Sequence, residues 1–595
     1  MLDQFREIVL VDFEYIPQQG ETLKQVVCVV AHLLKAGQTV RVWQDQFGPV
    51  APYPTGPETL FVSFNVVAEI GCHLALGWPA PARVLDLYTE YLARINSFRE
   101  KGTDPPEAKL ISALASFGLD SIGATEKREM IELILRGGPW AEQERADILD
   151  YCQSDVDSLK RLLPAMLPTI DLPRALLRGR YMCAVAAIER NGIPVDGESL
   201  ARLRTHWQAV QRRLIAEHDQ FGVYDADCHW SNARFADLLV KLDIVWLCHP
   251  DGKLDLRRET FRDMAEARGI EVVRPLVVLR NTLSGLRLGI RLEAGSDDRN
   301  RTTLFPFRST TGRNQPSNAK YIFGCARWLR GLIKPPPGDA VAYIDWKQQE
   351  FGIAAALSGD AAMLEAYQSG DPYLTFAKLA GAVPSDATKD THTAERDLFK
   401  QAVLATQYGQ GAKSLALRIA RPDMPAPNMT ARELLAAHRR TFHKFWAWNQ
   451  AFADTAMFYG SARTVFGWPA RIDVGSNPRS IANFPMQANG AEMMRIACCL
   501  AVERGIEVCA PVHDAVMICA PVDRIDADVT SMRAAMAEAS RAVLNGFELG
   551  TDAKIVRYPD RYMDERPGSQ KMWDRIWSLV EDEERKLDEP LRKTA

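Results

Sequence analysis

The length and composition of the chain exclude several classes of protein. It has 595 residues, of which 47% are hydrophobic and 25% charged, and its formal net charge is −4. This length predicts about two to four domains of ordinary globular composition. Charged residues near the N-terminus (Asp3, Arg6 and Glu7) argue against a signal peptide, and no apolar run is long enough to span a membrane. We therefore expect a cytoplasmic protein without membrane partners.

The 11 cysteines favour a reduced protein with buried thiols. None is spaced as Cys-x-x-Cys, and Cys498 and Cys499 are adjacent in a helical pattern. Cys228-His229 and Cys248-His249 could be considered as zinc ligands, but their spacing matches no standard zinc site.

One stretch of the chain is strongly basic although the chain as a whole is not. Residues 280–334 are opposed by only three acidic residues, and a local basic surface is sufficient to bind nucleic acid phosphates. A solvated surface without a ligand is the alternative interpretation. The basic residues are Arg280, Arg287, Arg291, Arg299, Arg301, Arg308, Arg313, Lys320, Arg327, Arg330 and Lys334.

Residues 1–170 are predicted to form an α/β unit. Short apolar runs with turn signals between them are typical of strands, and longer segments with helical periodicity separate or follow them. The predicted strands are 8–13, 26–32, 39–43, 60–65 and 84–87, and the predicted helices are 66–76 and 141–166.

Four acidic residues and a tyrosine on three separate segments of this unit form a candidate metal site. Asp12 and Glu14 point to the same side of a strand, because side chains alternate with a period of two. Glu69 lies on the first helix, and Tyr151 precedes Asp155 by one turn of the last helix, where it could orient an attacking water. Clustered carboxylates repel one another unless they bind cations, and two metals held in this way can cleave a phosphodiester.

This pattern resembles the DEDD-type 3′–5′ exonuclease domain that ends in Tyr-x-x-x-Asp. The matching segments are Asp12-x-Glu14, Asn65-x-x-x-Glu69 and Tyr151-x-x-x-Asp155. The resemblance implies a ribonuclease H-like fold and a proofreading activity. One departure is Glu69, where the family usually has the shorter Asp.

A strand followed by a helix, at 341–359, carries the acidic residue around which the second half is organised. Asp345 lies at the tip of the strand and Glu350 lies in the helix. A second acid, Asp514, lies at the tip of a predicted β-hairpin that residues 506–520 form. We expect the two aspartates to meet and to bind metal for nucleotidyl transfer. Taken alone, Asp514 could be an ordinary turn residue.

The helix at 396–409 has the polarity of a nucleoside triphosphate. Arg396, Lys400, Leu404 and Tyr408 recur every four residues and therefore share one face. The two cations could hold phosphates, and the two larger residues could pack against sugar and base. Arg479, Asn483 and Gln487 also step by four, and Pro485 predicts that their helix starts after it.

At this point the chain resembles the family A DNA polymerases over nearly its whole length. The segments Asp345–Glu350, Arg396–Gly409 and Val512–Asp514 are similar to the three polymerase motifs of the family, in the same order, and Thr311-Gly312-Arg313 and Asn483–Gln487 resemble two further stretches. The likeness is to bacterial DNA polymerase I and to phage or plasmid relatives. It implies an α/β multidomain protein in which the exonuclease domain precedes a right-hand polymerase with palm, fingers and thumb.

The resemblance implies domain limits and roles for the candidate residues. The exonuclease domain would cover 1–170, the helical thumb and the start of the palm 171–300, and the palm and fingers 301–595, with the fingers at about 360–460. Two Mg²⁺ ions per active site, for which Mn²⁺ could substitute, would bind at Asp345, Asp514 and the Trp346 carbonyl, and others at Asp12, Glu14, Glu69 and Asp155. The expected deoxynucleotide site consists of Arg396, Lys400, Leu404, Tyr408, Glu350, Gln348 and Tyr373. The expected contacts with primer-template DNA are Arg313, Arg479, Asn483, Gln487 and His513.

Several positions depart from the family pattern. Ala515 follows Asp514 where the family has Glu, which bears on rate or metal preference. Leu404 stands where Phe or Tyr is usual, Tyr373 stands where bacterial members often have His, and Lys347 replaces a usual Ser. Alternatives are a single-subunit RNA polymerase, a nuclease whose C-terminal half only binds DNA, and a non-catalytic scaffold. Glu350 and the exonuclease pattern argue against the RNA polymerase. We expect a monomer; the sequence says nothing about a processivity factor.

Overall fold

The structure is a computed structural model. It describes residues 2–593 except 18–19, 22–23, 99–106, 121–123, 250, 258–259, 262–263, 265–274, 276, 278–279, 281–291, 408, 421–425, 474 and 567, and it does not describe the side chains of 124–126, 407 and 587–593.

The N-terminal part is built on a mixed five-stranded sheet. Its strands run in the spatial order β3-β2-β1-β4-β5, with β1 antiparallel to β2 and parallel to β4. The central strands are rich in Val, Ile and Leu, and they are buried because helices cover the sheet. The strands are β1 (Glu7–Ile16), β2 (Gln25–Leu33), β3 (Gln38–Trp43), β4 (Thr59–Ser63) and β5 (Val84–Asp86).

Six helices accompany this sheet. The fifth packs on β1 and β2, and this contact carries Tyr151 and Asp155 to the strand that bears Asp12. The predicted strands and the two predicted helices of 1–170 are present, with limits that differ by at most three residues. The helices are α1 (Val66–Leu76), α2 (Leu87–Ile95), α3 (Leu110–Ser116), α4 (Ala124–Arg136), α5 (Glu142–Met166) and α6 (Leu172–Asn191).

The remaining strands form one larger and two smaller sheets. The four-stranded sheet has the order β12-β13-β9-β14, and its β12–β13 hairpin carries the turn at 513–514. The strands in chain order are β6 (Ser97–Phe98), β7 (Ile193–Pro194), β8 (Arg299–Asn300), β9 (Asp339–Trp346), β10 (Ser461–Arg463), β11 (Pro469–Ile472), β12 (Glu507–Val512), β13 (Ala515–Pro521) and β14 (Thr551–Arg557).

Twelve further helices are described after α6. None of the described helices combines the length and the apolar composition that crossing a bilayer requires. They are α7 (Gly197–His218), α8 (Asn232–Lys241), α9 (Gln349–Ser358), α10 (Ala361–Gln368), α11 (Pro372–Leu379), α12 (Thr393–Gln407), α13 (Ala412–Ile419), α14 (Pro427–Thr441), α15 (His443–Tyr459), α16 (Pro478–Glu503), α17 (Ile525–Val543) and α18 (Ser569–Lys593).

The contacts divide the chain into two compact units. The first comprises Met1–Gly192, Thr303–Gln315 and Ala340–Ile555, and the second comprises Ile193–Thr302, Pro316–Asp339 and Val556–Ala595. The first unit therefore joins the N-terminal sheet, α6 and the sheet that carries Asp345, and it includes the segment of Arg313. These divisions differ from the predicted domain limits at 170 and 300.

One local prediction was wrong. Helix α16 begins at Pro478, not after Pro485. Pro485 has no amide hydrogen to donate to the Ile481 carbonyl, and the helix nevertheless continues through it. Asn449 Nδ2 donates to the neighbouring Ala482 carbonyl over 2.7 Å, which ties α15 to this turn of the helix. The C-terminal segment forms α18, whose residues Ile576, Leu579 and Val580 are fully buried within the second unit, so one apolar face of this densely charged helix packs there.

Candidate active sites

Asp345 and Asp514 lie at adjacent strand ends of the four-stranded sheet. Asp345 is the last residue but one of β9, and Asp514 follows the positive-φ residue His513 (φ +53°) in the tight turn between β12 and β13. The Trp346 amide donates to the Asp514 carbonyl oxygen over 3.0 Å. This bond joins β9 to the hairpin tip, and it brings together two acids that are far apart in the sequence.

Burial and charge repulsion both act on Asp345. They raise its pKa to about 6, with burial as the largest cause, followed by the negative charges of Asp514 and Asp552. Asp345 and Asp514 are only partly exposed at the sheet edge. A carboxylate whose ionisation is opposed by neighbouring carboxylates is stabilised when a cation binds between them.

The residues that follow β9 turn sharply into α9. Gln348 adopts a left-handed conformation (φ +39°), and Glu350 lies in the first turn of the helix. Gln487 Nε2 of α16 donates a hydrogen bond to Glu350 Oε1. The side-chain oxygen and nitrogen of the buried Gln349 have no hydrogen-bond partner among the described residues. The bond from Gln487 fixes Glu350 against α16, the helix that also carries the predicted DNA contacts Arg479 and Asn483.

The cationic face of α12 lies beside the aromatic ring of Tyr373. The guanidinium of Arg396 lies 5.6 Å from the centroid of the Tyr373 ring, and Lys400 Nζ lies 5.7 Å from it. Arg396 Nε also donates to Asp371 at the start of α11. The structure thus groups three of the predicted nucleotide-site residues, and an anion that bound Arg396 would compete with Asp371. Leu404 lies two turns further along α12, and Tyr408 lies outside the described residues.

The turn at 309–313 is held by several hydrogen bonds. Ser309 Oγ accepts from the Arg313 amide over 2.7 Å, and Arg495 Nη1 donates to the Gly312 carbonyl over 2.8 Å. Gly312 has a φ of +73°, and a Cβ there would lie 3.1 Å from Trp468 Nε1, so both conformation and space favour glycine. The predicted DNA contact at Arg313 therefore starts from a rigid backbone.

The basic stretch at 280–334 is not one uniform surface. The Arg330 side chain is 9% exposed and forms an ion pair with Asp564 inside the second unit, while Arg301 is 7% exposed and pairs with Asp297. These two arginines stabilise the fold instead of facing solvent, which corrects part of the sequence interpretation. Arg287 and Arg291 lie outside the described residues.

The predicted contacts on α16 differ in exposure. Arg479 is exposed in the first turn, which Asn477 caps by accepting from the Arg479 amide over 2.9 Å. Asn483 is half-buried, and its Oδ1 atom has no hydrogen-bond partner among the described residues. His513 is exposed beside Asp514.

The N-terminal carboxylates form a second cluster around β1. Ligand atoms of Asp12, Glu14 and Cys152 all lie within 4.8 Å of one another. Glu69 is 3% exposed; Ser63 Oγ donates to its Oε1 over 2.9 Å, and its buried Oε2 has no hydrogen-bond partner among the described residues. The orphaned oxygen and the oxygen-rich donor set suit a hard divalent cation.

Two residues of this cluster were missed by the sequence analysis. Lys127 Nζ of α4 lies 2.8 Å from Asp155 Oδ2 and 5.5 Å from the centroid of the Tyr151 ring. The Cys152 thiol donates to the carbonyl of Asp12 over 3.3 Å. Cys152 directly follows Tyr151, so its place on α5 could have drawn attention to it, but no spacing rule connects Lys127 to the acids.

The pKa values of the cluster reflect burial and mutual repulsion. Burial, followed by the charge of Asp155, raises the pKa of Asp12 to about 8. Burial also raises the pKa of Glu14 and that of Glu69 well above the usual value, and Asp12 is the next cause for both. Lys127 opposes these shifts at Asp12 and Glu14. The cluster therefore carries more negative charge than Lys127 balances, and bound cations would supply the rest.

A cleft of about 1500 Å³ opens over these carboxylates within the first unit. Asp12, Asp155 and Lys127 line one side of it, and Arg308 and Thr311 line another. Its size is sufficient for several nucleotides, and cations lie among its aromatic and polar walls.

Comparison with known proteins identifies the family. The sequence pattern described as DNA polymerase family A matches residues 314–555, which contain Asp345, Arg396, Lys400 and Asp514. The chain is 23% identical to DNA polymerase I of Aquifex aeolicus (strain VF5) over 442 residues, which cover 69% of this chain and 74% of that protein.

Residues 314–555 thus form a family A DNA polymerase domain.

Other comparisons agree with this membership. The polymerase is 25% identical to the DNA polymerase of Mycobacterium phage D29 over 285 residues, which cover 45% of this chain and 46% of that protein. A solved structure, described as the POL domain of Pol1 from M. smegmatis in complex with DNA primer-template and dNTP, has a TM-score of 0.68 at 16% identity. The match covers 92% of this chain and 95% of that one. The predicted polymerase fold is therefore confirmed, and the exonuclease assignment of 1–170 stays a prediction.

The enzyme class follows from the family. The chain is a DNA-directed DNA polymerase, a nucleotidyltransferase that carries out template-directed DNA synthesis. Family A DNA polymerases generally use divalent metal ions. Within the matched segment, Asp345 and Asp514 lie at adjacent strand ends of one sheet.

Proposed function

We propose that the polymerase extends a DNA primer with deoxynucleoside triphosphates at Asp345 and Asp514, by a mechanism that uses two divalent metals. The observation that carries this proposal is the bond from the Trp346 amide to the Asp514 carbonyl, which joins the two acid-bearing strand ends. Primer-template DNA and deoxynucleotides are the partners that the family membership and the M. smegmatis complex support.

The polymerase site suits Mg²⁺, or Mn²⁺ in its place. Both ions prefer carboxylate and carbonyl oxygens, which Asp345, Asp514 and the Trp346 carbonyl would supply. When bound, two such ions would activate the primer 3′-hydroxyl and neutralise the triphosphate and the leaving pyrophosphate. The raised pKa of Asp345, which reflects burial and the neighbouring acids, agrees with a site that a cation completes.

The α12 helix would hold the triphosphate. Arg396 and Lys400 supply positive charge on one face, and Tyr373 lies against both cations. Lys400 could give a proton to the leaving pyrophosphate. Leu404 and Tyr408 would pack beside the sugar and base, with Gln348 at the start of α9 facing the nucleotide.

Sugar selection and DNA positioning would fall to neighbouring side chains. Glu350 would occupy the space that a ribose 2′-hydroxyl needs, and its hydrogen bond to Gln487 would hold it there. The DNA contacts that we propose for primer or template are Arg313, Arg479, Asn483, Gln487 and His513.

The N-terminal cluster would remove nucleotides from a 3′ end. Asp12, Glu14, Glu69 and Asp155 would hold the metals, and Tyr151 would orient the attacking water. The orphaned Oε2 atom of Glu69 supports this assignment, because a buried carboxylate oxygen without a partner is expected to bind a cation or a donor. Removal of mispaired ends before extension would make this activity proofreading.

A primed template incubated with Mg²⁺, with and without deoxynucleotides, tests both activities in the wild type and in two variants. We expect Asp345→Asn to lose extension by about three orders of magnitude or more, because the amide cannot replace a charged metal ligand, and to keep 3′-end degradation. Asp12→Asn should show the opposite pattern. Undiminished extension by Asp345→Asn would overturn the metal assignment.

The same assay separates the alternative functions. A nuclease with a non-polymerising C-terminal half would shorten the primer in every reaction, and a single-subunit RNA polymerase would extend only with ribonucleotides.

We also propose that the enzyme is a monomer in the cytoplasm of a bacterium or of a bacterial host, since its relatives include bacterial and phage polymerases. Light scattering of the purified chain tests the monomer.

A further inference from the structure

The strand next to Asp345 carries another acid at its start. β14 neighbours β9 in the four-stranded sheet. The Lys347 amide donates to the Gly550 carbonyl over 2.9 Å, and the Tyr558 amide donates to the Asp339 carbonyl over 3.1 Å. Residue numbers rise along one strand as they fall along the other, so β9 and β14 are antiparallel. Regular pairing between these two bonds places Asp552 directly opposite Asp345.

Directly opposite residues of an antiparallel pair share a face of the sheet. Their Cβ atoms lie about 4.5–5.5 Å apart, and like charges at this distance destabilise the pair. The negative charge of Asp552 is accordingly one of the causes that raise the pKa of Asp345, after burial and Asp514. Aspartates at three strand ends thus lie at one edge of the sheet.

A lysine balances Asp552 in the structure. Lys347 Nζ lies 2.9 Å from Asp552 Oδ1, and the two side chains are 43% and 67% exposed. Ion pairs this exposed contribute little stability, so the Asp552 carboxylate can leave Lys347 without much cost. Lys347 stands two residues after Asp345 in the sequence.

The residue after Asp514 supplies no charge. Ala515 is the first residue of β13 and is fully buried, and its side chain has no carboxylate. The resemblance to the family predicts a Glu at this position. The chain therefore lacks one acid beside its metal-binding aspartates and has another, on β14, across from Asp345.

We propose that Asp552 is a third carboxylate of the polymerase metal site, and that it contributes an oxygen and a negative charge to the divalent cation held by Asp345. Lys347 holds Asp552 when the cation is absent and releases it when the cation binds. This inference rests on the proposed two-metal function. It predicts a site with three acids despite Ala515, at which Lys347 competes with the metal.

Mn²⁺ binding measured by electron paramagnetic resonance tests the inference without relying on activity. The N-terminal cluster is first silenced with Asp12→Asn and Glu14→Gln, so that the polymerase site dominates the titration. In this background, we expect Asp552→Asn to weaken Mn²⁺ binding about tenfold, because one charge is lost close to the ion. Lys347→Met should tighten binding severalfold, since the competing ammonium is removed.

Asp523→Asn is the matched control, because Asp523 is exposed in the turn after β13. Its Mn²⁺ affinity should equal that of the background, and the melting temperatures of all variants should agree. In primer extension, Asp552→Asn should need about tenfold more Mg²⁺ for half-maximal rate, while Asp523→Asn should not.

The outcomes separate this inference from the proposed function. If Asp345→Asn binds Mn²⁺ like the background and still extends primers, the two-metal site is assigned wrongly. If Asp345→Asn loses both properties but Asp552→Asn behaves like Asp523→Asn, only the role of Asp552 is overturned. Loss of Mn²⁺ affinity in both Asp345→Asn and Asp552→Asn, with an unchanged control, supports the inference.

Discussion

Lys127 and Asp155 form an ion pair inside the N-terminal carboxylate cluster, with 2.8 Å between Nζ and Oδ2. Lys127 is 24% exposed at its side chain and Asp155 is 12% exposed. The pair comes from two helices, α4 and α5, and it supplies positive charge to acids that otherwise repel one another. A metal that binds Asp155 must share this carboxylate with Lys127 or displace it.

Replacing the lysine should therefore make the nuclease site bind metal more tightly. We expect Lys127→Met to lower the Mg²⁺ concentration for half-maximal 3′-end degradation about tenfold, which corresponds to about 1.4 kcal/mol of competing interaction. The measurement is a Mg²⁺ titration of the degradation of a 5′-labelled single strand. Lys160→Met, which removes an exposed lysine of the same helix as Asp155, is the control and should leave the titration unchanged.

A higher Mg²⁺ requirement in Lys127→Met would contradict this interpretation, because it would mean that Lys127 assists metal binding. Lys127→Arg keeps the charge and should retain the wild-type requirement. This comparison separates the charge of the lysine from its length.

The raised pKa of Asp12 predicts a pH-dependent stability of the metal-free protein. An ordinary Asp ionises near pH 3.9, whereas burial and Asp155 raise the pKa of Asp12 to about 8. Between these values the unfolded chain has released a proton that the native protein still binds, so stability falls as pH rises through this window. Glu14 and Glu69 shift in the same direction.

We expect the melting temperature in EDTA to fall between about pH 6 and about pH 8, and Asp12→Asn to show a smaller fall, because its amide does not ionise. Mg²⁺ should raise the melting temperature more at the higher pH, where the carboxyl groups are ionised and can bind it. An equal effect of Mg²⁺ on the wild type and Asp12→Asn would show that Asp12 does not bind the ion.

Local patterns predicted the elements that carry the sites better than the partners of those sites. The strand of Asp12 and the helix of Glu69 have strong periodicity, and α1 has the predicted limits of 66–76. Lys127 was missed because its helix meets Asp155 only through tertiary packing. Asp552 was missed because its position opposite Asp345 depends on the register of the sheet. Neither relationship leaves a spacing signal in the sequence.

Pro485 shows the opposite error, in which a reliable local rule was overridden. Proline is usually excluded from helix interiors because it removes a hydrogen bond, yet α16 continues through it. Asn449, on α15, donates to the Ala482 carbonyl and ties the two helices together at this turn. Tertiary contacts of this kind come from residues distant in sequence, so a local rule cannot include them.

The hydrogen bond between Gln487 and Glu350 predicts a change in sugar selection. We expect Glu350→Ala to raise the incorporation of ribonucleotides relative to deoxynucleotides by about 10- to 100-fold, because the space near the 2′ position opens and steric discrimination is lost. Single-nucleotide incorporation with each sugar measures the ratio of kcat/KM values. Gln487→Ala frees Glu350 without removing it, so its effect on this ratio should be smaller.

If Glu350→Ala reduced both sugars equally, Glu350 would act in general nucleotide binding or folding. Arg396→Ala provides the comparison, since loss of a phosphate contact should raise KM for both sugars without changing their ratio.

The buried pair of Arg178 and Glu90 predicts a large effect on stability. Arg178 Nε and Nη2, on α6, donate to the two carboxylate oxygens of Glu90, on α2, over 2.7 and 2.8 Å. The side chains are only 10% and 6% exposed. Arg178→Met should lower the free energy of unfolding by about 3–5 kcal/mol, because Glu90 is left buried without its partner.

Arg180→Met breaks the pair with Glu503, whose members are 39% and 50% exposed, and should cost about 0–1 kcal/mol. Urea unfolding followed by circular dichroism compares the two variants, and equal losses would show that burial does not set the strength of these pairs.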